Sequence, residues 1–283
     1  MSIFEALILG IVQGITEFLP VSSSGHLVLL QKIFGITEPA LVFDTAVHGG
    51  TLIAVFVVLR RDIWNICRRI VQPLTLYIII GTVPAVIAAL LLKDRIEEAF
   101  ASGAFLGAAF LVTSALLLLS DILYRRDRPG GLPVKLDSPA PFRTQDEMNW
   151  IDALVIGLFQ AVAIAPGVSR SGSTISGALF RRLDRDFAAR FSFLLSIPAI
   201  LGALVLQLKD IVKADSTASA GAAGSIGALP IAVGTASACI VGFFSITLVL
   251  KIVREHSLRG FALYTGILGL LVLVDQFATR FFF

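Results

Sequence analysis

Twice along this chain an apolar stretch is cut by a short polar string, VSSSGH at residues 21–26 and VSRSGS at 168–173. Lipid cannot satisfy the backbone groups that such a break exposes. Irregular backbone at membrane depth persists only where protein or water partners it. The flanking stretches, 3–19 and 24–34 around the first string and 150–165 and 172–183 around the second, are too short and too broken to cross a bilayer twice. Each string therefore reads as the tip of a re-entrant helical hairpin, over 3–34 and 150–183, that leaves the membrane on the side where it entered.

The rest of the chain reads as membrane-embedded. Only 15% of the residues are charged and 56% are hydrophobic, whereas a soluble domain carries about 25% charge. Apolar runs of about 17–22 residues are long enough to cross a hydrocarbon core of about 30 Å. They predict spans over 41–59, 74–92, 103–123, 187–208, 229–250 and 260–280. The start, MSIFEALILG, lacks a basic leader and carries Glu5, so no cleaved signal peptide is expected there. Cys67 and Cys239 lie in or beside apolar segments and support neither a disulfide framework nor a metal site.

The two strings belong to a longer repeat. At a shift of 147 residues, Gly10, Gln13, Val21, Ser22, Ser24 and Gly25 fall on Gly157, Gln160, Val168, Ser169, Ser171 and Gly172 without a gap. Arg61-Asp62-Ile63 matches Lys209-Asp210-Ile211 one residue further on. The expected fold is an all-α polytopic membrane protein with six transmembrane helices and two re-entrant hairpins. Residues 1–124 and 150–283 form the two copies, joined by a polar loop over 125–149. Each copy has three crossings, an odd number, so the second inserts upside down, giving an inverted-topology repeat. Of the 23 Lys and Arg, fifteen fall on one side and six on the other, with Arg170 and Arg190 apart. The basic side is expected to be cytoplasmic, which puts both termini outside. The same asymmetry explains the basic loops without nucleic-acid binding.

The tips carry a chemically coherent set. In QGITEFLPVSSSGHL (13–27), Pro20 ends the entering helix, and the serines suit the start of the returning one, whose N–H groups face an anion. Gln13 and Glu17 share a helical face, and Ser23 and His26 could share another. In APGVSRSGST (165–174), Arg170 adds a planar fork suited to phosphate oxygens. One carboxylate, one histidine, one arginine and several hydroxyls suit phosphoryl chemistry. Arg170 and the helix starts hold phosphate charge, a serine or water attacks, and His26 moves the proton. Glu17 either binds a divalent cation or orients His26. A carboxylate inside a membrane segment is expensive and usually functional. His48 and Asp44, four apart in the first span, read more readily as a satisfied buried pair than as a proton relay.

GIVQGITEFLPVSSSGHL and APGVSRSGSTISGALF closely resemble the two signature motifs of the bacterial undecaprenyl-diphosphate phosphatases of the bacitracin-resistance type. FSFLLSIPAILGA (191–203) resembles that family too, and the resemblance covers nearly the whole chain. It implies a hydrolase of the bacterial inner membrane with an outward-facing site. That enzyme would remove the terminal phosphate of the C55 isoprenyl diphosphate to recycle the carrier lipid for peptidoglycan synthesis. It implies a divalent cation, Mg2+ or Ca2+, and places the family's functional positions on Glu17, Ser22, Ser23, His26, Ser169, Arg170, Ser173 and Thr174. Many members carry glutamate where this chain has Gln13, so the cation expected here is shared between Glu17, with Gln13 as a neutral donor, and the substrate's phosphates.

The resulting assignment is Ser23 as nucleophile, His26 as proton shuttle, Glu17 on metal or on His26, and Arg170 as phosphate clamp. Ser22, Ser24, Ser169, Ser171, Ser173 and Thr174 add hydrogen bonds to phosphate. The partners are the polyprenyl diphosphate and the lipid bilayer; a homodimer is compatible with this architecture by analogy. The alternative is an inverted-repeat transporter or flippase for the lipid carrier, since paired re-entrant tips also serve transport. Transport, however, needs no serine and histidine beside an arginine clamp.

Overall fold

A computed structural model of the protein describes residues 1–36, 41–92, 95, 96, 98, 99, 103–126, 142–217 and 226–281. Most of the polar loop expected over 125–149 lies outside the described residues, as do Lys93, Arg128 and Lys135 and the side chain of Lys213. The described chain is helical. Two short helices, α1 (Ile3–Thr16) and α2 (Ser23–Ile33), precede α3 (Leu41–Val58), α4 (Arg60–Arg68), α5 (Pro73–Leu91) and α6 (Leu106–Arg126). A second short pair, α7 (Trp150–Val162) and α8 (Arg170–Phe180), precedes α9 (Arg185–Thr217), α10 (Ala228–Glu255) and α11 (Arg259–Val274). Six helices are long and apolar enough to cross a membrane, and they coincide with the six expected spans. The chain is an all-α polytopic membrane protein.

The short helices are the hairpins. At 1.5 Å per residue, α1 and α7 reach only about 20 Å, well short of the hydrocarbon core. Their starts are capped the same way. Ser2 and Glu5 form a reciprocal capping box on α1, and Asn149 and Asp152 form one on α7. Each pair returns to the face it came from. Met1, Leu30, Phe34 and Ile36 pack on one cluster with Ala6, Leu9 and Leu27 at the mouth of the first. Arg181 Nε, just past α8, bonds Asp152 Oδ1 in the first turn of α7 at 2.7 Å, closing the mouth of the second. Three crossings separate the mouths, so the hairpins enter from opposite faces and their tips meet inside.

Close helix contacts hold the tips in register, and they come in matched sets. α1 packs on α10 as α7 packs on α5; α3 packs on α10 as α9 packs on α5; α6 pairs with α11. Small residues let the backbones approach, the usual device in lipid. A Cβ on Gly10 would overlap the Gly234 carbonyl, and one on Gly157 would overlap the Gly81 carbonyl. Phe18, at the first tip, is fully buried and meets Phe193 of α9 edge to face at 5.6 Å between ring centroids.

Two buried carboxylates gather the helix ends on the basic side. Asp121 accepts from Arg185 Nη2 at 2.6 Å, Arg125 Nε and Ser257 Oγ at 2.8 Å each, and the Leu258 backbone N–H at 3.2 Å, with Arg259 Nε 3.1 Å away. Asp152 accepts from Arg143 and Arg181 and from the Asn149 N–H. One element, α4, was not expected from hydropathy. It is a short polar helix whose Arg68 lies over the half-exposed Trp64 ring at 5.3 Å, suited to a membrane interface rather than to a crossing.

Two outcomes follow for thermal unfolding in detergent. Gly10→Ala and Gly157→Ala force apart backbones that already touch and each cost about 1–3 kcal/mol, lowering the midpoint. Gly202→Ala, which faces open space, does not lower it. Asp121→Ala strands the buried Arg185 and costs about 3–5 kcal/mol.

Candidate active site

Glu17 is where the two tips join. It caps the end of α1, where its own backbone N–H closes the last turn on the Gln13 carbonyl, and Pro20 beyond it forbids continuation. The carboxylate is 6% exposed and its two oxygens face different partners. Oε1 receives Arg170 Nη2 from the second tip at 2.5 Å. Oε2 accepts from the Ser23 hydroxyl at 2.5 Å and from Gln13 Nε2 at 3.0 Å, and lies 3.7 Å from His48 Nε2. A hydroxyl, a carboxylate and a guanidinium from three separate segments thus converge.

The serines divide by task. Ser22 and Ser169 are the N-caps of α2 and α8, and their hydroxyls accept from the N–H groups of Gly25 and Gly172 at 3.2 and 3.1 Å. Ser22 takes φ +74° to do so, and Gly167, at the other tip, takes φ +86°. Ser24 accepts from the Gly167 N–H at 3.3 Å, and Ser171 donates to the Leu19 carbonyl at 3.0 Å, tying tip to tip. The Ser169 N–H donates to Thr113 of α6, and Thr174 meets Ser192 of α9 at 2.5 Å. These hydroxyls are spent on the fold. Ser23 is different: it is half-buried and bonded only into the carboxylate. So is Ser173, fully buried with a hydroxyl that has no protein partner.

The histidines exchange the places expected for them. Ser23 and His26 do not meet. His26 Nδ1 lies 2.6 Å from the Ser22 carbonyl, which can only accept, so Nδ1 carries the proton. Its Nε2 lies 2.7 Å from the Tyr264 hydroxyl, with the two rings stacked and Phe110 edge-on. It is His48 that faces Glu17. The side chain of Asp44 does not bond it: the Asp44 carboxylate takes Gln31 Nε2 at 2.8 Å, while His48 Nδ1 lies 2.7 Å from the Asp44 backbone carbonyl. The buried-pair reading of His48 and Asp44 thus holds only in part: their side chains interact electrostatically but share no hydrogen bond. A histidine in an apolar span was the available signal; its direction was not, because that depends on how α3 packs. Tyr264 gave no signal at all.

Among the described residues no group of three or more His, Cys, Asp and Glu could hold a metal. Glu17 is the one carboxylate here, and beside it the Gln13 carbonyl oxygen is fully buried with no partner. Arg170 Nη1 is likewise buried and unpartnered. Gln13 and Arg170, both bonded to this one carboxylate, thus each keep a buried polar atom without a partner.

Such a constellation, at the meeting of two opposed hairpin tips, defines a polytopic membrane protein with a buried polar and charged junction between its hairpins. Comparison narrows the class. The family model for the bacitracin resistance protein BacA matches residues 6–271, and the chain belongs to that family. It is 46% identical to the undecaprenyl-diphosphatase of Carboxydothermus hydrogenoformans, over 99% of this chain and all of the relative. It is 41% identical to undecaprenyl-diphosphatase 3 of Bacillus cereus over the same shares, and 40% identical to the undecaprenyl-diphosphatase of Methanosphaera stadtmanae over 97% of this chain and 98% of that one.

Removing the carboxylate tests the junction. Glu17→Ala leaves the partly buried Arg170 without its counter-charge, and the expected loss of stability is about 2–4 kcal/mol, read as a lower thermal midpoint in detergent. The double variant Glu17→Ala/Arg170→Ala is expected to recover part of it.

Proposed function

We propose that the chain hydrolyses undecaprenyl diphosphate to undecaprenyl phosphate and inorganic phosphate, returning the lipid carrier to peptidoglycan synthesis and conferring bacitracin resistance. One observation carries the reading: Glu17 sits between the Ser23 hydroxyl and the Arg170 guanidinium, joining nucleophile, base and clamp. Ser23 Oγ attacks the terminal phosphorus and gives its proton to Glu17. The Oγ–P bond forms as the anhydride bond breaks, and undecaprenyl phosphate leaves. Water then attacks the phosphoserine, Ser23 recovers its proton, and inorganic phosphate departs. Arg170 Nη1 and the Ser173 hydroxyl hold the phosphoryl oxygens, where charge stabilisation does most of the catalytic work.

His26 has a positioning role in this scheme rather than a shuttling one, because its ring is held between Ser22 and Tyr264 and touches neither Ser23 nor Glu17. A divalent cation, Mg2+ or Ca2+, fits beside Glu17 and Gln13, where it would neutralise phosphate charge. With residues 1–124 and 150–283 as inverted copies, the excess of Lys and Arg on one side favours that side for the cytoplasm, which would turn both termini and the mouth of the first hairpin outward.

Inorganic phosphate released from C55 isoprenyl diphosphate by the purified protein in detergent tests this, with and without EDTA. Detergent removes the compartments that transport needs, so release excludes a pure flippase. Arg170→Ala is expected to lower turnover by roughly 100- to 1,000-fold. Ser23→Ala turning over at a near-normal rate would replace serine attack by direct water attack. No release from folded protein with metal present would overturn the phosphatase reading.

A further inference from the structure

His48 is the one ionisable side chain at the site that the scheme above leaves without work. Its setting is specific. Nδ1 must carry a proton, because it faces the Asp44 carbonyl at 2.7 Å and a carbonyl can only accept. That fixes the tautomer in which a neutral ring offers its lone pair at Nε2. Nε2 points at Glu17 Oε2 from 3.7 Å, beyond hydrogen-bond range. Two atoms that each lie about 2.0–2.2 Å from one ion sit roughly 3–3.5 Å apart, close to the observed separation.

A ring whose far N–H is held by a backbone carbonyl while its bare nitrogen faces a carboxylate is how metal-ligating histidines are normally oriented. A second observation points the same way. The Gln13 carbonyl oxygen, on the face of α1 that carries Glu17, is fully buried and has no partner, although its amide nitrogen bonds Oε2. Arg170 occupies the other carboxylate oxygen, Oε1, while the Ser23 hydroxyl donates to Oε2 at 2.5 Å, so the cation shares Oε2 with the nucleophile's hydroxyl.

We infer that His48 Nε2, Glu17 Oε2 and the Gln13 carbonyl form a three-donor site for a divalent cation, with an imidazole where a second carboxylate would otherwise stand. The inference deepens the proposed phosphatase reading and rests on it for the cation's use. It also changes which ion the site prefers. Oxygen-only donors suit Mg2+ and Ca2+, whereas an imidazole raises affinity for Mn2+, Co2+ and Zn2+. The single carboxylate keeps the site's negative charge low, so the nitrogen donor supplies the affinity that a second carboxylate would have given.

Pulsed EPR on Mn2+ bound to the full chain in detergent, without a polyhistidine tag, decides it. The expected spectrum shows 14N modulation from a directly bound imidazole. Protein labelled with [15N]histidine replaces it by the 15N pattern, a result that needs no variant to fold. His48→Gln, checked for folding by gel filtration, loses the modulation and binds Mn2+ at least about tenfold more weakly; His26→Ala keeps it. Mn2+ bound without nitrogen modulation, modulation that survives His48→Gln, or no Mn2+ binding by the wild type would each overturn the site. Phosphate release measured on the same samples keeps the two claims apart. Release with Mn2+ but no nitrogen coupling sinks only the His48 site, and coupling without release sinks only the phosphatase reading.

Discussion

Hydrocarbon offers nothing to a broken helix, and this constraint organises the molecule. Each hairpin tip exposes backbone donors and acceptors at a depth where lipid cannot partner them. The tips solve the problem for each other. Ser24 takes the Gly167 N–H, Ser171 gives to the Leu19 carbonyl, and each returning helix is capped by its own serine. Glu17 and Arg170 add the same logic in charge: each sits at a cost inside the membrane, and each neutralises the other. The site is therefore no addition to the fold. It is what remains where two incomplete helices complete one another.

That arrangement demands rigid surroundings, because an ion pair of 2.5 Å between separate tips tolerates little drift. The matched helix contacts meet the demand. α1 and α7 lie against α10 and α5 at glycine-to-backbone distances, which leave no room to slide. At the basic side, Asp121 and Asp152 clamp the outer ends of the second hairpin and of α6, α9 and α11 through five arginines. A hairpin fixed at its mouth by buried ion pairs and along its length by close packing presents its tip as a fixed point. Catalysis by positioning depends on such fixity.

Much of this was legible in the sequence because membranes make sequences plain to read. Hydropathy alone located six spans, since length and apolarity suffice for a helix in lipid. Pro20 and the Pro166-Gly167 pair located the tips, and Glu17 and Arg170 stood out because charge in an apolar run has few structural excuses. What stayed hidden was direction. Spacing puts Ser23 and His26 within reach of each other, yet His26 turns to Tyr264, 238 residues away, and Ser23 turns to Glu17. His48 faces Glu17 only because α3 packs against α1 and α10 with that side inward. Nor does a run of serines announce which hydroxyl caps a helix and which is left for chemistry. That division is set by backbone angles such as the positive φ of Ser22. α4 was missed for a different reason: an interfacial helix is defined by its two faces rather than by mean apolarity.

The way Glu17 and Arg170 share their atoms bears on how a charged substrate enters so dry a place. If the pair used every polar atom, phosphate binding would have to break it, leaving a bare carboxylate inside the membrane beside an incoming anion. It does not. Arg170 commits Nη2 to Oε1 and keeps Nη1 buried and unpartnered, and the hydroxyl of Ser173, three residues on in the same helix, is unpartnered too. The planar fork can thus hold a phosphoryl oxygen with one arm and the carboxylate with the other. The second oxygen of Glu17 meanwhile stays on Ser23. A lysine could not do this, since one ammonium presents a point charge rather than two fixed arms. In the proposed scheme the guanidinium would let the base remain next to the nucleophile, and the tips remain joined, while the substrate's charge is taken up between them.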